Sequence, residues 1–130
     1  MLQSFKKQER LCSRKIIKEL FEKGHTISSY PLKMIWMEIE HSSKFPVQIV
    51  ISVPKRNIKK AVTRNKIKRQ IREAYRKNKI NWYKYLENKN KQCAGMFIYT
   101  AKNAVLYKEI ELIIIGMFDR LVKEHEATYK

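Results

Sequence analysis

The spacing of hydrophobic residues changes several times along the 130 residues, and each stretch of regular spacing predicts one helix or strand. Apolar residues recur every three or four positions over residues 13–23, which predicts a short amphipathic helix there. Ser13 is a suitable N-cap for this helix. Gly24 is expected to end the helix in a left-handed conformation.

Two strands are predicted after this helix. Residues 32–40 alternate imperfectly between apolar and polar positions, so we expect a strand that is partly covered on both faces. Residues 47–53 alternate at a strict period of two, which is typical of a half-buried strand. Residues 41–44 are expected to form a polar loop, so the two strands should pair as an antiparallel hairpin.

The second half of the chain predicts two longer helices and one more strand. Pro54 ends the second strand, and helical spacing resumes over about 59–78. Residues 78–92 are polar and are expected to continue this helix and then form a loop. Residues 93–100 predict a third strand that joins the sheet through a crossover, and residues 106–125 predict a final helix.

These elements predict an α+β protein, with helices packed on a small, mainly antiparallel sheet. We find no repeat or linker, and the length suits one domain over residues 1–130. The ends, about 1–9 and 126–130, are expected to be flexible.

The chain is strongly basic, because 29 Lys and Arg residues outnumber 12 acids and give a formal net charge of +17. Between Lys55 and Lys79, twelve cations accompany a single acid, Glu73, so this stretch carries +11. Such a density predicts a polyanionic partner, with nucleic acid favoured. Charge alone leaves an acidic protein or an anionic membrane as alternatives.

A helical wheel places these cations on one face of the predicted second helix. Ile67, Ile71 and Ala74 form an apolar stripe that should dock on the core. Like charges at i and i+4, such as Lys68 and Arg72, repel each other, so a merely solvated face is disfavoured. The outward face, its flanks and the approach to the helix give these predicted RNA-binding residues: Lys55, Arg56, Lys59, Lys60, Arg64, Asn65, Lys66, Lys68, Arg69, Arg72 and Arg76.

The sequence contains few residues in patterns suited to catalysis or metal binding. Asp119 is the only aspartate, whereas metal-dependent nucleases use several convergent carboxylates. His25, His41 and His125 lie far apart in sequence and are expected to be surface residues. No metal site in the protein is predicted.

The compartment is predicted to be the cytoplasm. Cys12 and Cys93 lack metal or redox spacing and are expected to be reduced thiols. Residues 1–10 lack the apolar core of a signal peptide, and the longest apolar run, 112–115, is too short to span a bilayer. We therefore expect a soluble chain that does not bind a membrane.

Several segments resemble the protein subunit of bacterial ribonuclease P. The central ones are SVPKR at 52–56, AVTRNKIKR at 61–69 and IREA at 71–74. RL at 10–11 and LFEKG at 20–24 are similar to the family's amino-terminal pattern, so the resemblance spans nearly the whole chain.

The resemblance implies a ribonucleoprotein endonuclease that removes the 5′ leader from precursor tRNA. Its RNA subunit would perform the chemistry with Mg²⁺ held mainly by RNA and substrate, so the protein would have no catalytic residues. The implied partners are the catalytic RNA, bound one-to-one by a monomer, and the precursor tRNA leader; DNA is not among them. The family also implies a left-handed βαβ crossover, against the usual preference.

Individual residues can be matched to this family. Arg64, Asn65, Lys68 and Arg69 agree with its central motif, whereas Lys66 replaces the second Arg of Arg-Asn-Arg and lacks the planar fork of a guanidinium. A noncatalytic RNA-binding role follows. The alternatives are a ribosome-associated structural RNA-binding protein and, less favoured, a protein-only metal-dependent nuclease.

The resemblance also implies a cleft for the leader between the first helix and the sheet. Phe21 matches an aromatic of that cleft, and Ile17 and Ile35 occupy two positions that are commonly aromatic. Stacking of leader bases would then depend on Phe21 and on Trp36. A core position for Phe21 is equally compatible with its spacing, and burial of Trp36 is favoured over stacking. Trp82, Tyr83 and Tyr85 could touch RNA, although packing onto the domain is favoured.

Overall fold

The computed structural model describes residues 5–40 and 44–128, so predictions for His41 and for most of the 41–44 loop lie outside the described residues. The elements follow one another as a 3-10 helix (Lys7–Glu9), α1 (Arg14–Lys23), β1 (His25–Ser29), β2 (Leu32–Glu38), β3 (Val47–Ser52), α2 (Ala61–Asn78), α3 (Ile80–Lys89), β4 (Cys93–Tyr99) and α4 (Tyr107–Thr128). The predicted α+β class is confirmed.

The four strands of the described residues form one mixed sheet in the order β1-β2-β4-β3. β2 pairs antiparallel with β1 and with β4, whereas β3 pairs parallel with β4. The predicted hairpin of β2 and β3 is therefore wrong. β4 lies between them because its residues from Cys93 to Phe97 are buried, and a strand covered on both faces belongs inside a sheet.

β1 is a strand that the sequence pattern did not predict. It is five residues long, and Ile27 is its only buried apolar residue. A turn at Tyr30 and Pro31, joined by a cis peptide bond, connects β1 to β2. The predicted crossover is present, because α2 and α3 connect the parallel strands β3 and β4. Its hand stays a prediction.

The core lies on both faces of the sheet. The larger cluster joins one face to α2, α3 and α4, and the predicted stripe of Ile67, Ile71 and Ala74 is fully buried within it. The smaller cluster contains Leu20 of α1 and Ile35 of β2 on the other face. The sheet thus fixes the orientation of α2, whose polar residues point outward.

Both predicted ends of α1 are correct in position, but Gly24 acts differently from the prediction. Ser13 caps the helix by accepting a hydrogen bond from the Ile16 N–H at 3.3 Å. Gly24 has a φ of −68°, which is outside the left-handed region. A Cβ at Gly24 would instead collide with Ile35 and with the Leu20 carbonyl, so the close approach of α1 and β2 requires glycine.

The N-terminal segment, residues 5–13, is anchored rather than free over its described length. Glu9 is completely buried, where it pairs with the buried ammonium of Lys79 and accepts a hydrogen bond from the Tyr83 hydroxyl at 2.5 Å. Tyr83 also hydrogen bonds Tyr75 at 2.8 Å. These contacts hold residues 5–9 against the core, and the final helix extends to Thr128, whereas the flexibility expected at the two ends stays a prediction.

α3 shows why the aromatic residues after α2 pack inward. The segment forms a helix where a partial loop was expected, and Trp82 stacks on Phe118 at 5.6 Å between ring centroids. Tyr85 hydrogen bonds His125 at 2.8 Å. The favoured prediction of packing for these aromatics is confirmed.

The surface location predicted for His125 is wrong. Its side chain is 2% exposed, and its two ring nitrogens are satisfied by hydrogen bonds with Glu38 and Tyr85. His25 is half-buried beside Trp36. Within the described residues, no helix has the length and apolar character needed to cross a membrane.

Candidate nucleic-acid interface

The outward face of α2 is the strongest candidate for an interface. Asn65, Arg69 and Arg72 are exposed, and Lys68 is half-buried beside them. They border a shallow groove of about 360 Å³ that Val62 completes. The buried stripe on the opposite side holds this face outward, so it can meet a partner without rearrangement of the core.

Arg64 anchors the approach to α2 as well as contributing charge. One of its terminal nitrogens donates hydrogen bonds to the carbonyls of Ile58 and Lys59, at 3.0 and 2.7 Å. These bonds tie the loop before the helix to the first turn of α2. The loop also carries Lys55 and Arg56, both exposed, so Arg64 orders other cations of the face.

The C-terminal part of α2 contributes less free charge than its sequence suggests. Glu73 forms ion pairs with Arg76 and Lys77, and the hydrogen bond from Arg76 lowers the pKa of Glu73. Lys79 is buried against Glu9, and desolvation lowers the pKa of Lys79 although the Glu9 hydrogen bond opposes that shift. The unneutralised cations therefore concentrate in the first three turns of α2.

A second basic concavity lies at the start of α2, with a volume of about 650 Å³. It brings Arg56, Lys59 and Lys60 together with Lys102, which follows β4. Lys102 was not predicted, because its proximity depends on the position of β4 beside β3. No local signal in the sequence could have revealed it.

Three residues of the predicted leader cleft lie on α1 or beneath it, and their role in binding the leader stays a prediction. Phe21 is 62% exposed on α1, so a core position is excluded, and Ile17 is half-buried on the same helix. Ile35 is 6% exposed beneath α1. Half-buried Val50 and Ile98 lie on the same face of the sheet as Ile35.

The buried position favoured for Trp36 is confirmed, and its alternative place in the leader cleft is wrong. Trp36 is 1% exposed and packs in the larger core cluster, on the face of the sheet opposite Ile35. Adjacent residues of a strand point to opposite faces, so Ile35 and Trp36 cannot both line one cleft. Among the residues predicted to form the leader cleft, Phe21 is therefore the one that is both aromatic and exposed.

Acidic residues gather away from the basic face. Glu38, Glu40 and Glu87 line a cavity of about 650 Å³ at the end of the sheet where β3 and β4 begin, together with Lys44 and Lys91, and Lys91 pairs with Glu38. In the described part of the chain, no three His, Cys, Asp or Glu side chains are grouped so that they could hold a metal ion.

The fold and this face define a class: small α+β proteins with a basic helix displayed on one side of a mixed sheet. The sequence model of the Ribonuclease P family matches residues 5–113. The chain therefore belongs to the ribonuclease P protein family.

Curated relatives carry the same family name. The ribonuclease P protein component of Chlorobium phaeobacteroides is 32% identical over 107 residues, covering 80% of this chain and 71% of that protein. The component of Porphyromonas gingivalis is 39% identical over 74 residues, covering 56% of this chain and 53% of that protein. The chain thus aligns with about half the length of the Porphyromonas relative.

Solved structures share the fold. The ribonuclease P protein of Staphylococcus aureus superimposes with a TM-score of 0.62 at 21% identity, covering 88% of this chain and 95% of that one. The Thermotoga maritima protein gives 0.63 at 21% identity, covering 86% and 96%. The arrangement of strands and helices described above is therefore that of known ribonuclease P proteins.

Proposed function

We propose that this chain is the RNA-binding component of ribonuclease P and assists its catalytic RNA in removing the 5′ leader from precursor tRNA. The observation that carries this proposal is the outward face of α2, where Asn65, Lys68, Arg69 and Arg72 border one groove. Family membership supports the same conclusion. Arginine guanidinium groups bind phosphates in a bidentate manner, which suits a folded RNA recognised by shape.

The proposal assigns the two sides of the molecule different roles. The α2 face and the basic concavity at its start bind the RNA subunit, because both are rich in cations. The α1 side holds the single-stranded leader, with exposed Phe21 available for stacking. Ile17 and Ile35 contribute apolar surface there.

The chemistry belongs to the RNA in this proposal. Of the 12 acids in the chain only one is an aspartate, which suits binding of phosphates better than coordination of two catalytic cations. Mg²⁺ is held mainly by the RNA subunit and the substrate, and the protein joins the RNA as a monomer in a one-to-one complex. The cytoplasm is the proposed location of this complex.

Reconstitution tests the proposal. The protein is combined with the matching RNA subunit, and cleavage of precursor tRNA is followed over a range of Mg²⁺ concentrations. We expect the protein to lower the Mg²⁺ concentration that cleavage requires, because its cations replace part of the screening of RNA phosphates. Equal cleavage by the protein without any RNA, or no effect of the protein on the RNA, would refute the proposal.

Charge-matched variants separate the α2 face from general electrostatics. Arg69→Gln removes one exposed cation from the face, and Lys108→Gln removes one exposed cation from α4. We expect only the first to raise the Mg²⁺ requirement. Equal effects of both variants would mean that net charge, and not the face, determines binding.

A matched pair of variants tests whether Phe21 binds the leader of precursor tRNA. Phe21→Ala and Leu112→Ala both remove an exposed apolar side chain, from α1 and α4 respectively. We expect Phe21→Ala alone to weaken binding of precursor tRNA relative to leaderless tRNA, because stacking of bases is lost. An unchanged preference for precursor tRNA over leaderless tRNA would contradict the assignment of Phe21 to the leader cleft.

A further inference from the structure

A crevice of about 270 Å³ lies beside β3, at the outer edge of the sheet. Its floor is apolar: Phe5 and Ile51 pack with the larger core cluster on the α2 side of the sheet, whereas Leu11 and Val50 pack with the smaller cluster on the other side. The N-terminal segment pairs with β3 at Ile49, whose carbonyl accepts a hydrogen bond from the Leu11 N–H at 2.7 Å. Beyond this pairing the edge of the strand opens into the crevice.

Three cations from two separate elements surround the apolar floor. Lys68 and Arg72 lie one turn apart on α2, and Arg10 comes from the N-terminal segment. The ion pairs found among the described residues include neither Lys68 nor Arg72. Their charges are therefore available to an anionic ligand at this crevice.

The wall on the N-terminal side is held firmly in place. Phe5 packs edge-on against Tyr75 of α2, with 5.8 Å between ring centroids, and the Arg10 guanidinium lies 5.7 Å from the centre of the Phe5 ring. The buried pair of Glu9 and Lys79 fixes the backbone between Phe5 and Arg10. The crevice is thus built from long-range contacts and does not depend on a free chain end.

An apolar slot beneath unpaired cations has the chemistry that recognises an unpaired nucleotide. Its base can enter the slot and contact apolar and aromatic side chains, while the flanking phosphates reach the cations. A base-paired helix keeps its bases stacked inside, so it presents only phosphates and sugars to such a surface. The slot therefore favours a bulged or looped nucleotide over a paired one.

We propose that this crevice binds one unpaired nucleotide of the RNA that docks on α2, with its base against Phe5 and Ile51 on the α2 side of β3. The inference rests on the proposed function, because it assumes that α2 faces an RNA. It adds a specific contact to a face that otherwise recognises phosphates. It also gives the N-terminal segment a direct part in RNA binding.

Cys12 offers a probe at the site without mutation. It lines the crevice and is exposed, whereas Cys93, the other cysteine of the chain, is buried. A photoactivatable cross-linker attached to Cys12 should cross-link to unpaired nucleotides of the ribonuclease P RNA subunit. The control carries the linker on Leu112→Cys in a Cys12→Ser background, which is exposed on α4 and should give a different cross-linking pattern or none. Cross-links from Cys12 that fall only within paired segments, or none at all, would overturn the proposal.

A large side chain placed in the crevice gives a second test, in which the affinity for the RNA subunit is measured. Cys12→Trp places a large side chain at the slot without changing charge, and Leu112→Trp is the matched exposed control. We expect Cys12→Trp to weaken binding of the RNA subunit by about 5- to 100-fold, the range for loss of one stacked base. The slope of log affinity against log salt should stay that of the parent, because the phosphate contacts remain.

The outcomes separate this inference from the proposed function. Parent-like affinity of Cys12→Trp would overturn the nucleotide site while leaving the RNA-binding role intact. Weaker binding with a reduced salt slope would show that phosphate contacts were displaced, and it would also overturn the assignment of a base. Failure of the parent protein to bind the RNA subunit would instead contradict the proposed function itself.

Discussion

Arg64 differs from the exposed cations of α2 because its guanidinium is already used within the protein. Its bonds to the Ile58 and Lys59 carbonyls link the loop to the helix. We predict that Arg64→Gln lowers the free energy of unfolding by about 1.5 to 3 kcal/mol, the range for hydrogen bonds made by a charged group, and also weakens RNA binding. Urea unfolding and RNA titration measure the two effects.

Arg69 is the matched comparison, since it is exposed on the same helix. Arg69→Gln should leave the unfolding curve unchanged while reducing the log–log salt slope of RNA binding by about one unit or less. If both variants changed stability equally, or if Arg64→Gln left it unchanged, the structural role of Arg64 would be mistaken.

The two thiols should differ sharply in reactivity. Burial raises the pKa of the Cys93 thiol to about 12, whereas Cys12 is exposed. Because the folded state keeps the Cys93 proton that the unfolded chain loses near its ordinary pKa of 9.0, this group makes stability fall as pH rises above that value. We predict that a thiol reagent at pH 8 modifies one cysteine in the native protein and two in denaturant. Equal rates for both native thiols would contradict the burial of Cys93.

Single residues also show where sequence reasoning fails. The outward direction of Lys68, Arg69 and Arg72 could be predicted, because a helical wheel needs only local periodicity. The burial of Lys79 could not be predicted, since its partner Glu9 lies 70 residues away. The position of Trp36 depended on which face of β2 meets the larger core, and an imperfect alternation leaves that choice open.

At the scale of elements, the N-terminal segment is held to α2 and α3 by one buried ion pair. Removing one partner leaves the other charge buried without compensation, which is strongly destabilising. We predict that Glu9→Ala lowers the free energy of unfolding by about 3 to 5 kcal/mol. Protection of the 5–13 backbone amides against hydrogen exchange should fall with it.

The control for this pair is an exposed one on α1. Lys18 and Glu22 lie 3.9 Å apart with largely exposed side chains, so Glu22→Ala should leave stability almost unchanged. Similar losses for Glu9→Ala and Glu22→Ala would show that the buried pair does not anchor the segment.

Elements with a clean local period were predictable, and those set by distant pairing were not. Strict alternation identified β3, and the apolar stripe identified α2. The order of strands could not follow from the same pattern, because nothing local indicates that β4 enters between β2 and β3. β1 was missed because a short, mostly polar edge strand forms through its pairing with β2.

At the scale of the whole molecule, the charge is arranged rather than merely abundant. Unneutralised cations collect on α2, at its approach and around the edge crevice, whereas three glutamates and two lysines line the cavity where β3 and β4 begin. This separation gives the protein one side suited to a polyanion. Family membership supports the proposal that this polyanion is the RNA of ribonuclease P.

The identity of the RNA bound in cells tests directly whether the protein associates with the RNA of ribonuclease P. The protein is isolated from its native cells under mild salt, and the co-purifying RNA is sequenced and assayed for cleavage of precursor tRNA. We expect one abundant structured RNA that cleaves precursor tRNA at its 5′ leader. Recovery of ribosomal RNA in place of that species would contradict it.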